Sequence, residues 1–276
     1  NGDGKLDIYV CRGGIWSDPS TRTNRFYQNA GNDGNGIPVF KERARELGIA
    51  DTTRSDQAVF FDHDLDGDLD LYVINTSLQG KEQLSPTQVE ELLKTRRSPT
   101  SRLYRNDGAR FTDITEASGL LTYGYALGVS VSDLDGDGRQ DIYVANDYVQ
   151  PDRMYMRNAI GGYTESIQER TRHISNFAMG CDVADYNNDG LVDIAVVDMV
   201  SEDHVRSKTD MGGMGSEKFW TAVLAGFHYQ YMFNTLQLNN GNGTFSGVGQ
   251  LAGVSKTDWS WAPLFCDLDN DGWKDL

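Results

Sequence analysis

Cysteine is scarce in this chain of 276 residues: only Cys11, Cys181 and Cys266 occur. They are odd in number and far apart, which excludes a disulfide framework and any zinc-ligand spacing. Cys181 and Cys266 sit in apolar, strand-like runs and read as buried thiols. Histidine offers no catalytic arrangement. Of the four, His63 lies inside an acidic loop, and His173, His204 and His228 have neither triad-like nor metal-binding spacing. Positive charge is also short. Lys and Arg number 25 against 41 Asp and Glu, a net charge of −16. Phosphate backbones need a basic footprint, so nucleic acid is excluded as a partner. No signal peptide and no apolar run of membrane-spanning length is found, so direct membrane insertion is not expected. The chain is nevertheless 38% hydrophobic and 11% aromatic, enough for a sizeable core.

What the sequence has instead is one acidic loop, repeated. In DLDGDGRQDIYVAN, residues 133–146, Asp133, Asp135, Asp137 and Asp141 fall at loop positions 1, 3, 5 and 9, and Gly138 supplies a tight turn. Oxygen side chains so close together repel unless a hard cation lies between them, and calcium takes roughly six to eight oxygen ligands. The pattern recurs as Asp62, Asp64, Asp66 and Asp70, as Asp185, Asn187, Asp189 and Asp193, and as Asp267, Asp269, Asp271 and Asp275. The chain opens inside a further copy, with Asn1, Asp3 and Asp7 at positions 3, 5 and 9. Nearly half the acidic residues lie in these loops. Five bound Ca²⁺ would bring −16 to about −6. An EF-hand would close on a Glu at position 12 between helices. Here the closing carboxylate is at position 9, and LYVIN, IYVAN or IAVVD follows, which are strand residues.

A second landmark is an Asn after an apolar strand: Asn29, Asn106, Asn158 and Asn239. Gly and an aromatic-led segment follow, beginning at Phe40, Phe111, Tyr163 and Phe245. From each landmark to the next loop the spacing is 33, 27, 27 and 28 residues, and the minimal unit is about 52 residues. Short strands at a period near 50 predict propeller blades. The fold expected is all-β: a β-propeller of four-stranded antiparallel blades, with about four blade periods present. An apolar strand (57–61, 126–131, 177–183, 261–266) leads into each loop, and three more strands complete each blade. Two short helical insertions interrupt the units at 76–102 and 199–233. In the first, Ser85 and Pro86 start a helix with Gln88 in a capping box and Val89, Leu92 and Leu93 on one stripe. In the second, a helix from Ser216 carries Phe219, Trp220, Val223, Leu224 and Phe227. Both insertions follow the second strand and emerge opposite the loops. Trp220, His228, Tyr229 and Tyr231 are therefore the candidate ligand contacts, although they also suit packing of the insertion onto its own blade. The chain begins and ends inside repeats and reads as part of a longer protein.

The D-x-D-x-D-G-x-x-D loop followed by a strand, blade after blade, resembles the FG-GAP/VCBS repeat, including the calcium-bearing blades of integrin α-chain propellers. The longer stretches LYRNDGARFTDITEASGL and NTLQLNNGNGTFSGVGQLAGVSKTDWSWAPLFCDLDNDGWKDL resemble bacterial secreted proteins that often carry a downstream ASPIC/UnbV domain; no segment here matches that domain itself. The resemblance implies rings that are often seven-bladed, calcium as cofactor, and a place outside the cell or in the periplasm. It implies ligation by the loop carboxylates together with the position-7 carbonyls of Lys5, Asp68, Arg139, Leu191 and Trp273. Asn187, being neutral, would weaken its loop. It implies a binding or adhesion scaffold for protein or glycan ligands. Two alternatives stand beside that. One is a glycan-active hydrolase or lyase, for which Asp210, Glu217 and His228 form the testable acid/base cluster. The other is a structural module for a neighbouring domain.

Overall fold

The computed structural model describes residues 2–14, 18–77, 88, 101–148, 150–209 and 215–276. Strands dominate, and they pair as the alternating β-branched and aromatic runs require. Blade I contains β1 (Ile8–Val10), β2 (Arg25–Asn32) and β3 (Pro38–Glu42). Blade II is β4 (Ser55–Phe61), β5 (Asp70–Asn75), β6 (Arg102–Asn106) and β7 (Phe111–Asp113). Blade III is β8 (Tyr125–Ser132), β9 (Asp141–Asp147), β10 (Arg153–Arg157) and β11 (Tyr163–Glu165). The short β12 (Ile174–Ser175) precedes blade IV, which begins with β13 (Gly180–Ala184) and β14 (Asp193–Val197). After β15 (Met199–Val200) and β16 (Gln230–Tyr231), blade IV is completed by β17 (Thr235–Asn239) and β18 (Phe245–Gly247). The short β19 (Asp258–Trp259) follows. Blades II, III and IV are four-stranded antiparallel sheets in sequential order, and the fold is all-β and propeller-like. The run 261–266, expected as a leading strand, forms the single bridge Cys266–Asp275 among the described residues.

The second strand of each blade explains why these runs are apolar on both faces. In β5, Tyr72 and Ile74 join Ile142, Val144 and Tyr155 in the core between blades II and III. Leu71 and Val73, pointing the other way, join Phe26, Leu47 and Ile49 between blades I and II. In β9 the alternation repeats, with Tyr143 and Ala145 packed against Ile194, Val196 and Phe245 of blade IV. A period of two with a neighbour on each side leaves no solvent face. Leu71, Tyr72, Val73 and Ile74 are all fully buried, each such burial stabilising by about 1.5–3 kcal/mol.

Leading strands of successive blades approach one another closely. Val129 N–H donates to Gln57 Oε1 at 3.0 Å, Ser130 Oγ to the Cys181 carbonyl at 3.1 Å, and Phe265 N–H to Asp182 Oδ2 at 2.8 Å. Gly128 and Gly180 make this possible. A Cβ on Gly128 would lie 2.8 Å from Gly180 Cα, and one on Gly180 would lie 2.3 Å from the Trp261 carbonyl oxygen.

At the end of each blade away from the acidic loop, a polar residue ahead of the third strand ties down the end of the second. Asn24 accepts from Arg12 N–H (2.8 Å), Ser101 from Asn75 N–H (3.3 Å), Asp152 from Asn146 N–H (2.8 Å) and Asn234 from Asp198 N–H (2.7 Å). Three of these residues are neutral. Asp152 is fully buried, also accepts from the Tyr143 hydroxyl at 2.7 Å, and is pushed up to about 7 by desolvation.

The first helix expected, on Ser85, Pro86, Val89, Leu92 and Leu93, lies outside the described residues. In the second insertion a helix spans Ser216–Leu224. Its far end returns through β16, which pairs in parallel with β12. No helix among the described residues is long and apolar enough to cross a membrane.

Two outcomes follow from these contacts. Gly128→Ala should lower stability by about 1–3 kcal/mol through overpacking, read by thermal unfolding, whereas Gly215→Ala, with nothing within 4 Å of its Cβ, should stay within about 0.5 kcal/mol. Between about pH 4, the unfolded Asp value, and about pH 7, the folded value of Asp152, the native state holds a proton the unfolded state has lost. Stability from this group therefore falls as pH rises through that window. Asp152→Asn should remove the slope, so that its stability relative to wild type increases from pH 4 to pH 8 in denaturant titrations.

Candidate metal centre

Each acidic loop closes on its own backbone in the same way. The position-1 carboxylate accepts the N–H groups of positions 5 and 6. Asp62 bonds Asp66 N–H at 3.1 Å and Gly67 N–H at 3.0 Å. Asp133 bonds Asp137 N–H at 3.0 Å and Gly138 N–H at 2.8 Å. Asp185 and Asp267 repeat the pair on Asp189 and Gly190 and on Asp271 and Gly272. The position-5 carboxylate then accepts the position-7 N–H, from Asp3 to Lys5 (3.0 Å) through Asp66, Asp137 and Asp189 to Asp271 and Trp273 (2.8 Å). Position 6 is Gly in every copy because φ there is +76° to +93°. The turn gathers side chains of positions 1, 3 and 5 to one point in the loops starting at Asp62 and Asp267, and those of positions 1, 3 and 9 in the loop starting at Asp133. Ligand atoms of Asp62, Asp64 and Asp66 lie within 4.8 Å of one another, as do those of Asp267, Asp269 and Asp271, and those of Asp133, Asp135 and Asp141.

This donor set fits a hard cation. A carboxylate oxygen that accepts one N–H keeps a second lone pair free, and all the donors are oxygen. In the loop starting at Asp62, Asp68 adds a carboxylate whose Oδ1 is buried with no hydrogen-bond partner. Its acid strength is weakened by burial and then by repulsion from Asp66, Asp64 and Asp62. In the loop starting at Asp133, Arg139 pairs with Asp137, and Arg170 reaches Asp135 at 3.2 Å from the helical turn Ile167–Arg170 that follows β11. In the third complete loop the neutral Asn187 donates from Nδ2 to Asp189 Oδ2 at 3.0 Å. Asn1 lies outside the described residues, which leaves Asp3 and Asp7 of the opening copy.

Position 9 has a second task that sequence reading missed. Asp141 accepts Leu134 N–H (2.9 Å) on Oδ2 and Arg157 N–H (2.7 Å) on Oδ1. Asp70 does the same with His63 and Asn106, both at 2.7 Å, and Asp193 with Tyr186 (3.4 Å) and Asn239 (2.8 Å). Asp7 holds Asn29 N–H at 2.8 Å. The carboxylate thus joins the loop to the third strand. Desolvation pushes it up, to about 6 for Asp70 and Asp193 and about 7 for Asp141. The available signal was its fixed place as the first residue of a buried strand. The landmark partner in blade III is Arg157, not Asn158 as the sequence suggested. Arg157 takes the strand-end place, and Asn158 lies in the turn, where its Oδ1 accepts from Gly162 N–H at 2.9 Å.

Position 2 is the other residue that periodicity did not reveal. His63 is buried and stacks on Tyr163 of the next blade, ring centroids 5.7 Å apart. Leu134 lies in the same buried cluster as Phe245 of the next blade, and Tyr186 stacks on Phe265 at 6.3 Å. The aromatic that leads the fourth strand of blades III and IV therefore lines a socket for the preceding loop.

On the opposite edge, Trp220, Tyr229 and Tyr231 are exposed at 54%, 42% and 37%. His228 is not on that surface: it is buried, its Nε2 lies 3.0 Å from Thr171 Oγ1, and burial pushes it down to about 4. Apolar Phe227 beside it is buried too, so this dipeptide anchors the insertion. Glu217 is exposed on the helix, away from the buried His228 side chain, and Asp210 lies outside the described residues.

Asp141→Asn should place an amide group against one of two backbone N–H donors and cost about 1–3 kcal/mol. Urea unfolding of the variant in chelator makes the reading independent of metal.

A search of curated proteins found no match. The FG-GAP-like repeat matches four stretches, residues 1–73, 91–144, 133–196 and 221–276, which together span most of the chain and take in every acidic loop. With these matches and the recurrent loop–strand geometry, the chain belongs to the FG-GAP-like repeat family.

Proposed function

We propose that this protein is a calcium-stabilised binding or adhesion scaffold that works outside the cell or in the periplasm and takes protein or glycan ligands. One observation carries the reading: the acidic loops share one geometry along one edge of the blades, while the insertions of variable length leave from the other. Asp62, Asp64 and Asp66, Asp133, Asp135 and Asp141, and Asp267, Asp269 and Asp271 would hold ions. Asp185, Asn187, Asp189 and Asp193 would hold a weaker one. Calcium would supply the positive charge that lets the carboxylates stay ionised side by side. The scaffold then presents Trp220, Tyr229 and Tyr231 as contacts. Extracellular calcium modules bind in the roughly 10⁻⁴–10⁻³ M range, the range expected of these loops if the protein works in that compartment.

Thermal melting during a calcium titration tests this. The melting temperature should rise with calcium, reaching about 2.7 kcal/mol of stabilisation per site at a hundredfold excess over Kd, and chelator should reverse it. Asp133→Asn with Asp135→Asn should remove one ion from the count by isothermal titration. A melting temperature indifferent to both calcium and chelator would remove the metal and, with it, the argument for compartment.

A further inference from the structure

A cleft of about 390 Å³ lies beside the second insertion, between the returning segment and the outer edge of blade IV. Its size falls within the roughly 300–1,000 Å³ of small-ligand sites. One wall is aromatic. Tyr231 and Phe233 flank a tight turn in which Phe233 N–H donates to the Tyr231 carbonyl at 2.9 Å, and their rings stack with centroids 5.6 Å apart and planes 6° apart. His173 meets both edge-on, at 5.8 and 5.5 Å. Phe219 of the insertion helix continues the column, stacked on Tyr231 at 5.2 Å. Gly247 is required opposite, since a Cβ there would lie 2.3 Å from His173 Cε1.

The other wall is polar without formal charge. Asn234 is fully engaged, accepting from Asp198 N–H and donating to the Val254 carbonyl and Thr257 Oγ1. Thr235 is not. It is 3% exposed, it lines the cleft, and its Oγ1 is buried with no hydrogen-bond partner. Gln250 brings an exposed amide to the rim. In a chain of net charge −16, no Asp, Glu, Lys or Arg lines this cleft among the described residues. Burial holds the His173 imidazole below its ordinary value, so it is neutral as well. A stacked aromatic wall facing uncharged hydrogen-bonding groups suits a ligand with an apolar C–H face and hydroxyls around its rim. An unpaired buried hydroxyl is a cost that such a ligand would relieve.

We propose that this cleft binds a neutral pyranose ring of a glycan, with Phe233, the end ring of the aromatic column that Tyr231 supports, against its C–H face and with Thr235 Oγ1 and the Gln250 amide bonded to its hydroxyls. The inference rests on the scaffold reading and narrows its ligand to one class at one place.

Saturation-transfer difference NMR on the full chain with calcium, using methyl glycosides of glucose, galactose, mannose and N-acetylglucosamine at millimolar concentration, reads the contact directly. Ring C–H protons of at least one neutral sugar should be saturated. Tyr231→Ala should weaken binding about tenfold or more, and Gln250→Ala, at an exposed position, should weaken it several-fold with an unchanged melting temperature. Thr235→Val separates a ligand role from a structural one: it should leave the melting temperature equal or higher, because it deletes an unpaired buried hydroxyl, while lowering affinity. Unchanged sugar affinity in Thr235→Val, stronger binding of glucuronic or sialic acid than of neutral sugars, or no neutral sugar bound at all would overturn the proposal. So would a proline-rich peptide that binds in their place and is lost in Tyr231→Ala. That last result would leave the scaffold reading standing, whereas loss of the calcium response would strike the scaffold reading itself.

Discussion

The carboxylate at position 9 is the constraint on which the blade depends. Asp70, Asp141 and Asp193 are buried, and each accepts N–H groups from two places far apart in sequence, one in its own loop and one at the end of the third strand. A buried carboxylate is expensive unless its lone pairs are occupied. Here backbone donors occupy one position on each oxygen, and a cation held by positions 1, 3 and 5 would add the missing charge. Loop closure and strand register are thereby tied to one side chain, and blades II, III and IV repeat the arrangement.

Between blades the logic changes from polar to apolar. The second strands of blades II and III, β5 and β9, place alternate side chains into the core on either side of them, so neighbouring interfaces share a backbone but no side chains. The glycines of the leading strands, Gly128 and Gly180, let backbones come closer than any side chain allows. At the ends opposite the loops, one polar residue per blade closes the turn into the third strand. Variable insertions are tolerated there because that closure sits beside them: the blade IV insertion adds two helices (Arg206–Thr209 and Ser216–Leu224) and two short strands without changing the bond from Asp198 N–H to Asn234.

Most of this architecture was legible in the sequence because it is periodic. A loop whose carboxylates fall at fixed offsets, followed by β-branched runs such as Asp141–Asp147, dictates a turn and a strand whatever surrounds it. What was not legible depends on contacts across blades. His63 reads as a loop residue, yet it is buried because the next blade brings Tyr163 over it. His228 reads as an insertion aromatic open to ligand, yet Thr171 and the packing of Phe227 draw it inside. Arg157 escaped because the bond to the position-9 carboxylate is made by a backbone N–H, as at Asn106 and Asn239, so no side-chain identity marks it. Local pattern fixes which residues form an element, whereas burial is decided by the partner surface.

The position-2 side chain that enters the following blade gives the stack a polarity. Between blades II and III, and again between III and IV, one blade offers a protruding residue and the next an aromatic-lined recess, as His63 meets Tyr163 and Leu134 joins Phe245. Such a unit assembles only head to tail. Growth of the array by copying a whole period keeps every protrusion matched to a recess, while copying part of one leaves a residue such as His63 facing water and a ring such as Tyr163 uncovered. The protein's interior therefore acts as a reading frame for its own duplication, one that admits new blades in whole numbers and lets length vary only on the edge where nothing interlocks.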